Sequence, residues 1–150
     1  MKYLCLVYRD EKEWDALPER EYDAIVAEIL AYREELRQSG RFIVSDALQH
    51  VQTATTIRVR NGQVSITDGP FAETNEQLGG FYLINAGDLN EAIRVASKIP
   101  SARLATVEVR PIKELNPKQP RATDRRFATR PIDQWHGSGG SATDARNSVV

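Results

Sequence analysis

The amino-acid sequence predicts an α+β fold, and three patterns support that prediction. Two segments with apolar residues at helical spacing, residues 18–40 and 88–100, are separated by several short β-rich runs. An Asn61-Gly62 pair lies between two alternating runs and is typical of a tight β-hairpin. The chain has 150 residues, of which 41% are hydrophobic and 27% charged, so one domain can bury a core.

The N-terminal part predicts a buried strand followed by a long helix. Residues 2–8 form a short, mostly apolar run, and the polar residues 9–13 that follow are interpreted as a loop. The helix is expected to begin at Pro18 and to end at Gly40. Its residues at helical spacing are Tyr22, Ile25, Val26, Ile29, Tyr32, Arg33 and Leu36.

The middle of the chain predicts a second strand and then a hairpin. Residues 42–51 are interpreted as the second strand, and residues 53–60 and 63–67 as the two arms of the hairpin. A type I′ turn requires a positive φ at both central residues, which suits the Asn-Gly pair. We expect Val64 and Ile66 to point inward.

The last part predicts a strand, a helix and a final strand. Residues 81–84 form another β-rich run after the irregular segment 68–78. Asp88 and Glu91 have the spacing of a capping box and are expected to begin the second helix, which Pro100 ends. In residues 105–110, apolar and polar side chains alternate, as in a half-buried strand.

This order of elements predicts an antiparallel sheet with both helices on one face, the ferredoxin-like arrangement of split βαβ units. The other face, to which we assign Ile84 and several aromatic residues, then requires a cover. A second copy of the chain, packed sheet against sheet, would provide it. We therefore expect a homodimer.

The domain is expected to span residues 1–112, and residues 113–150 to form a polar, mildly basic tail. Residues 1–111 carry a net charge of −4, and residues 112–150 carry +3. We expect the tail to be flexible or partly docked through Phe127, Ile132 and Trp135. The positive charge is too small to indicate binding of nucleic acid.

The composition excludes several classes of site. The single cysteine, Cys5, excludes an intramolecular disulfide framework. Because the two histidines are far apart in the sequence, neither a zinc site nor a cysteine–histidine nucleophile is predicted. The pair Gly79-Gly80 matches neither a P-loop nor a dinucleotide fingerprint and is expected to permit close approach to a neighbouring strand. We expect no metal and no cofactor. Without a signal peptide or a membrane-spanning run, a cytoplasmic location is expected, with no membrane partner.

Several motifs in the chain resemble those of the DGPF family, part of the YCII-related group, over about residues 1–112. They are 1–3 (MKY), 54–60 (ATTIRVR), 67–74 (TDGPFAET), 76–81 (EQLGGF), 99–100 (IP) and 107–111 (VEVRP). The resemblance implies a dimeric α+β barrel and relatives such as muconolactone isomerases and a dehydrochlorinase of hydroxylated aromatics. It also implies that most family members have no assigned reaction and that their genes often occur in bacteria beside those of extracytoplasmic-function sigma factors.

This chain departs from the family pattern in two places. Asn75 follows Glu-Thr where relatives usually have lysine. The histidine–aspartate pair proposed for catalysis in some YCII-related proteins has no evident counterpart, because the first helix lacks histidine.

Three carboxylates are candidates for catalysis. Asp68 ends a strand beside a Gly-Pro turn and could act as a general base, although a structural Asx-type turn explains it as well. Glu73 and Glu76 are three residues apart and could divide acid and base roles, or could lie on a solvated loop.

The other candidates would bind the substrate or transfer protons near neutral pH. Arg58 and Arg60 share a strand face and could hold an anion, or could pair with the glutamates. His50 could act as an acid or base, although a structural or exposed histidine is the common alternative. Phe71 and Tyr82 are candidates for substrate contact, although core packing explains Tyr82.

Three functions remain open at this point. One is a cofactor-independent isomerase or lyase that transfers protons on a small anionic or aromatic metabolite. The second is a non-catalytic ligand-binding module, or one that works with a sigma factor in a stress response. The third is a purely structural dimer in which the loop at residues 68–80 completes the interface.

Overall fold

The computed structural model of the chain describes residues 1–116, in which six strands and three α-helices form. The strands are β1 Lys2–Arg9, β2 Phe42–Ala47, β3 Thr55–Arg60, β4 Gln63–Asp68, β5 Gln77–Asn85 and β6 Thr106–Pro111. The helices are α1 Glu11–Asp15, α2 Glu19–Gln38 and α3 Leu89–Ser97, with short 3₁₀ turns at Val51–Thr53 and Pro100–Arg103. The predicted tail lies outside the described residues from residue 117 onward.

Four strands form an antiparallel sheet in the order β2-β5-β1-β6, and β3 and β4 form a separate hairpin. Cys5 in the central strand β1 lies opposite Tyr82 of β5 on one side and Val109 of β6 on the other. Apart from the hairpin and the short α1, the chain follows the β-α-β-β-α-β order of ferredoxin-like domains. The predicted α+β, ferredoxin-like fold is confirmed.

The core lies between one face of this sheet and the helices α2 and α3. Alternate residues of β1 and β5 point toward the helices, as the two-residue period of a strand requires. The buried cluster comprises Tyr3, Cys5, Val7, Tyr32, Leu36, Tyr82, Ile84, Ala86, Ala92, Val95, Ala96 and Ile99. Ile84 is 0% exposed in this cluster, so the prediction that it lies on the open face was wrong. It lies opposite Tyr3, which also faces the helices.

The other face of the sheet has an apolar centre and a polar border. Leu4, Leu6, Phe81 and Leu83 occupy its middle and are only partly buried within the described chain. Glu108 lies opposite Leu6 at one side of this patch. Neither α2 nor α3 covers this face, because both pack against the core side.

The hairpin has the predicted turn, but its apolar side chains have a different environment from the one expected. Asn61 has a φ of 50° and Gly62 a φ of 73°, as the type I′ turn requires. Val64 and Ile66 are 62% and 65% exposed, so the prediction that they point inward was wrong. The reason is that the hairpin forms its own two-stranded sheet and does not extend the larger one.

A short helix, α1, occupies the segment that was interpreted as a loop. The Asp10 side chain accepts hydrogen bonds from the backbone N–H groups of Lys12 and Glu13, at 2.9 and 3.3 Å, and so caps the helix. The helix buries Trp14 at the end of the sheet. Within residues 1–116, no helix is both long enough and apolar enough to cross a membrane.

Candidate functional site

A cleft of about 760 Å³ lies where the end of β1, the helix α1, the start of α2 and the segment after β2 meet. This volume is within the range of small-molecule sites. Its walls are formed by Arg9, Trp14, Asp15, Leu17, Glu19, Tyr22, Ala47, Leu48, Gln49, His50, Gln52 and Thr53. The cleft therefore combines aromatic and aliphatic surface with a few charged groups.

His50 and Asp15 form a pair in this cleft. Nε2 of His50 lies 3.0 Å from Oδ1 of Asp15, and the two side chains are 41% and 52% exposed. In the tautomer in which Nε2–H donates to the carboxylate, Nδ1 carries a free lone pair that can accept a proton. A carboxylate in this position orients the imidazole and stabilises the imidazolium that forms after proton transfer.

The loop that carries His50 is held in place by hydrogen bonds from both sides. The backbone N–H of Val51 donates to the Glu11 carboxylate at 2.9 Å. The N–H of Glu11 in turn donates to the Gln77 side chain at 3.1 Å. Thr53 Oγ1 donates to the carbonyl oxygen of His50 at 2.7 Å. These contacts tie α1 and the loop to β5, so the backbone of His50 is fixed relative to the sheet.

Arg9, Trp14 and Tyr22 form a stack along another wall. The guanidinium carbon of Arg9 lies 4.1 Å from the centroid of the Trp14 ring, a cation–π geometry. Tyr22 packs edge-on against Trp14, with ring centroids 5.9 Å apart at 73°. Burial lowers the pKa of Arg9, and the charges of Tyr22, Glu11 and Asp15 partly oppose this effect.

Gly79 in β5 provides the space for this stack. A Cβ atom at position 79 would lie 2.6 Å from Nε of Arg9 and 2.9 Å from its guanidinium carbon. The carbonyl oxygen of Gly79 also accepts a 2.9 Å hydrogen bond from the N–H of Leu48, which continues the β2–β5 pairing toward His50. Both glycines permit a close approach, as expected. At Gly79 the neighbour is the side chain of Arg9, and at Gly80 it is the backbone of Asp46 on the adjacent strand.

Asp68 lies at the exposed end of β4, next to a turn in the hairpin. Gly69 has a φ of 90°, and its N–H donates to the carbonyl oxygen of Ala54 at 2.7 Å. Thr56 Oγ1 donates to the carbonyl oxygen of Gly69 at 2.8 Å. Asp68 is exposed and is not among the residues that line the cleft.

The other predicted residues also lie apart from the cleft walls. Glu73 is exposed, and the Glu76 carboxylate accepts a hydrogen bond from Thr106 Oγ1 at 3.1 to 3.2 Å. Phe71 is 79% exposed. Arg58 and Arg60 are exposed on one face of the hairpin, and Ile57 and Val59 are exposed on the other.

Tyr82 lies in the core rather than at a surface. It is 5% exposed, and burial is the largest cause of its raised pKa, which Arg33 partly counteracts. Of the residues predicted from the sequence, the structure places only His50 on the walls of the cleft within residues 1–116.

Sequence reasoning missed Arg9, Trp14 and Asp15, because residues 9–13 were interpreted as a loop. One signal was available: Asp10 and Glu13 have the spacing of a helix N-terminus, which would have predicted α1. The sequence prediction considered a histidine–aspartate pair only in the long helix, which is α2, whereas His50 and Asp15 pair between a loop and α1. In the described part of the chain, no three His, Cys, Asp or Glu side chains are arranged to hold a metal ion.

Together, the fold and the cleft define a ferredoxin-like α+β domain with a pocket of mixed polar and apolar walls at one end of its sheet. A family model described as the YCII-related domain matches residues 1–116. The chain therefore belongs to the YCII-related family, and the resemblance inferred from its motifs is confirmed.

Two known proteins illustrate the similarity. An uncharacterised protein of Rhizobium meliloti (strain 1021) is 34% identical over 119 residues, which cover 78% of this chain and 96% of the relative. The solved structure of 5-chloro-2-hydroxyhydroquinone dehydrochlorinase from Burkholderia phenoliruptrix AC1100, in complex with 2,5-dihydroxybenzoquinone, matches with a TM-score of 0.45. That match has 16% identity and covers 75% of this chain and 94% of the other.

Proposed function

We propose that the chain is a cofactor-independent enzyme of the isomerase or lyase type that transfers a proton on a small metabolite in the cleft. The observation that supports this function is the 3.0 Å contact between Nε2 of His50 and Oδ1 of Asp15 at the wall of a pocket of small-molecule size. The pair provides a proton acceptor and a carboxylate that stabilises its charged form.

In the proposed reaction, Nδ1 of His50 removes a proton from an activated carbon atom of the substrate. The electron pair of the broken C–H bond then moves into the substrate. In an isomerisation, the imidazolium returns the proton to a different carbon atom. In an elimination, a leaving group departs with its electron pair and the proton is released from His50. The Asp15 carboxylate balances the positive charge of the imidazolium.

This function can be tested by hydrogen exchange in D₂O with a panel of small carboxylates, lactones and phenols, because proton removal replaces carbon-bound hydrogen with deuterium. We expect His50→Gln to slow the exchange by about 10²- to 10⁴-fold, the usual contribution of general acid–base catalysis. Asp15→Asn should slow it less and change its pH profile. Glu34→Gln, at an exposed site on α2, is the control and should have the wild-type rate.

Two outcomes would contradict this assignment. Exchange at the wild-type rate in His50→Gln would exclude His50 as the base. Exchange lost in Asp68→Asn but kept in His50→Gln would assign the base to the hairpin carboxylate instead.

We also propose that the active form is a homodimer. The open face of the sheet supports this, since Leu4, Leu6, Phe81 and Leu83 form an apolar centre that neither long helix covers. Contiguous exposed apolar surface of this kind marks interaction sites. Leu6→Glu at its centre should yield a monomer in analytical ultracentrifugation, whereas Asp46→Asn at the border should not. A wild-type chain that sediments as a monomer would refute the proposal.

A second candidate function is a non-catalytic module that binds a ligand or a protein such as a sigma factor. The exposed apolar side of the hairpin favours it, with side chains 54% to 65% exposed at Ile57, Val59, Val64 and Ile66. An absence of exchange across the whole panel, together with binding of one of its compounds, would favour this module over the enzyme.

A further inference from the structure

We propose that Arg9 is the anion anchor of the cleft, and that the cleft takes a small molecule with one carboxylate group. This inference rests on the proposed function, since it specifies the class of substrate on which His50 would act. It differs from the sequence prediction, which assigned anion binding to Arg58 and Arg60 on the hairpin.

The guanidinium of Arg9 is held in one orientation by the groups around it. It stacks on Trp14 at 4.1 Å, and on another side it fills the space left by the missing side chain of Gly79. Trp14 is itself fixed, because it is 8% exposed and packs edge-on against Tyr22. A guanidinium held in this way has already lost much of its conformational freedom, so less entropy is lost when it binds an anion.

The charges of Glu11 and Asp15 act on the same guanidinium, but one of its N–H groups lacks an acceptor within residues 1–116. Its Nε atom is buried and makes no hydrogen bond there. A buried donor without an acceptor is unfavourable, and a guanidinium stays protonated at physiological pH. A ligand carboxylate in the cleft would bring a negative charge to this guanidinium, and its two oxygen atoms match the planar arrangement of guanidinium N–H groups.

The remaining walls indicate the size and charge of the ligand. Leu17, Leu48 and the rings of Trp14 and Tyr22 would contact an apolar body, and the volume of about 760 Å³ suits a small molecule. Asp15 and Glu19 also line the cleft. These two carboxylates would repel a phosphate dianion more strongly than a carboxylate, which carries a single charge.

The test follows the Nε–H signal of Arg9 by ¹H–¹⁵N NMR in the full chain, assigned from its absence in Arg9→Gln. Acetate, benzoate and phenylacetate are titrated, together with acetamide, benzamide and phenylacetamide as neutral matches of the same shape. We expect at least one carboxylate to shift this signal and its matched amide to leave it unchanged. If no carboxylate moves the signal, or if the amides move it equally, the proposal is overturned.

Variants separate the anchor from the fold and from catalysis. Gly79→Ala places a Cβ atom where the guanidinium lies, and should weaken carboxylate binding at least 10-fold while Arg9 is retained. Arg9→Lys keeps the charge without the planar fork and should also weaken binding, which titration calorimetry measures because this variant lacks the Nε–H signal. Arg103→Gln, an exposed arginine paired with Glu28, is the matched control and should bind normally.

The two proposals can fail independently. His50→Gln should keep carboxylate binding while it loses hydrogen exchange. Binding of the carboxylate therefore tests the anchor, and the exchange rate tests the base. Binding lost in Arg58→Gln but kept in Arg9→Gln, both measured by titration calorimetry, would overturn the anchor at Arg9 and leave the role of His50 intact.

Discussion

The hydroxyl group of Tyr32 on α2 donates a buried hydrogen bond of 2.7 Å to the carbonyl oxygen of Val95 on α3. The bond joins residues 63 positions apart and fixes the two helices against each other above the sheet. Burial raises the pKa of Tyr32 to about 12, with a further contribution from Glu35, so the hydroxyl remains a donor throughout the physiological range. The contact therefore links helix packing to the stability of the domain.

Replacing Tyr32 with phenylalanine should destabilise the domain while leaving the fold intact. The ring still fills its place in the core, but the hydrogen bond is lost, at a cost of about 0.5–1.5 kcal/mol. The measurement is urea unfolding followed by circular dichroism. Tyr22→Phe on the same helix is the matched control, because that side chain is 44% exposed, and its unfolding free energy should change by less than about 0.5 kcal/mol. Equal effects of the two substitutions would contradict the role of the Tyr32 hydroxyl.

Gly80→Ala should destabilise the sheet more than a comparable substitution at its margin. A Cβ atom at position 80 would lie 2.9 Å from the backbone oxygen of Asp46, so β2 and β5 would have to move apart. Overpacking of this kind costs about 1–3 kcal/mol. Asp46→Ala is the control, since its side chain is exposed on the edge strand β2. Thermal unfolding should show a clearly lower midpoint for Gly80→Ala, and an unchanged midpoint would contradict the close approach.

Cys5 should be unreactive in the folded protein and become reactive only on unfolding. It is 0% exposed, and burial raises the pKa of its thiol to about 11, so very little reactive thiolate forms at neutral pH. As the only cysteine in the sequence, it gives an unambiguous signal with a thiol reagent such as DTNB. The reaction should be slow at pH 7.5 and rapid in urea. Rapid labelling under native conditions would show that β1 is accessible in the folded state.

The sequence was sufficient for the elements whose signals are local. The Asn61-Gly62 turn and the Asp88 cap could be predicted because positive φ values and a capping side chain depend on a few neighbouring residues. The environment of the hairpin could not be predicted, because alternation shows that Val64 and Ile66 share a face but not what that face contacts. The side chains are exposed because the hairpin is separate from the larger sheet, which is a property of the whole fold.

The candidate site shows the same limit. His50 could be noticed because the sequence has only two histidines, and imidazole is a common acid–base group. Its partner Asp15 lies 35 residues away, and the contact exists only because the loop after β2 returns to α1. The stack of Arg9 on Trp14 likewise depends on the space left by Gly79 on a different strand, for which the sequence contains no spacing rule.

The Glu91 carboxylate should make the stability of the domain depend on pH in the acid range. Its pKa is lowered, first by the backbone N–H of Gly87, which donates to Oε2 at 2.6 Å, and then by Arg41, which donates to Oε1 at 2.9 and 2.6 Å. Because the folded state holds the proton of Glu91 less tightly than the unfolded state does, the contribution is complete above the ordinary glutamate pKa of about 4.3. It is lost as the pH falls through the lowered value.

Glu91→Gln should therefore differ from the wild type by a constant unfolding free energy near neutral pH and by progressively less on acidification. Urea unfolding at a series of pH values between about 7 and 3 measures this difference, because subtraction cancels the other carboxylates that both proteins share. Glu21→Gln, an exposed residue at the start of α2, is the control and should give a small difference at every pH. If the difference in unfolding free energy for Glu91→Gln stayed constant down to pH 3, Gly87 and Arg41 would not preferentially stabilise the ionised form of Glu91. The link between the end of α2 and the start of α3 would then depend on neutral hydrogen bonding alone.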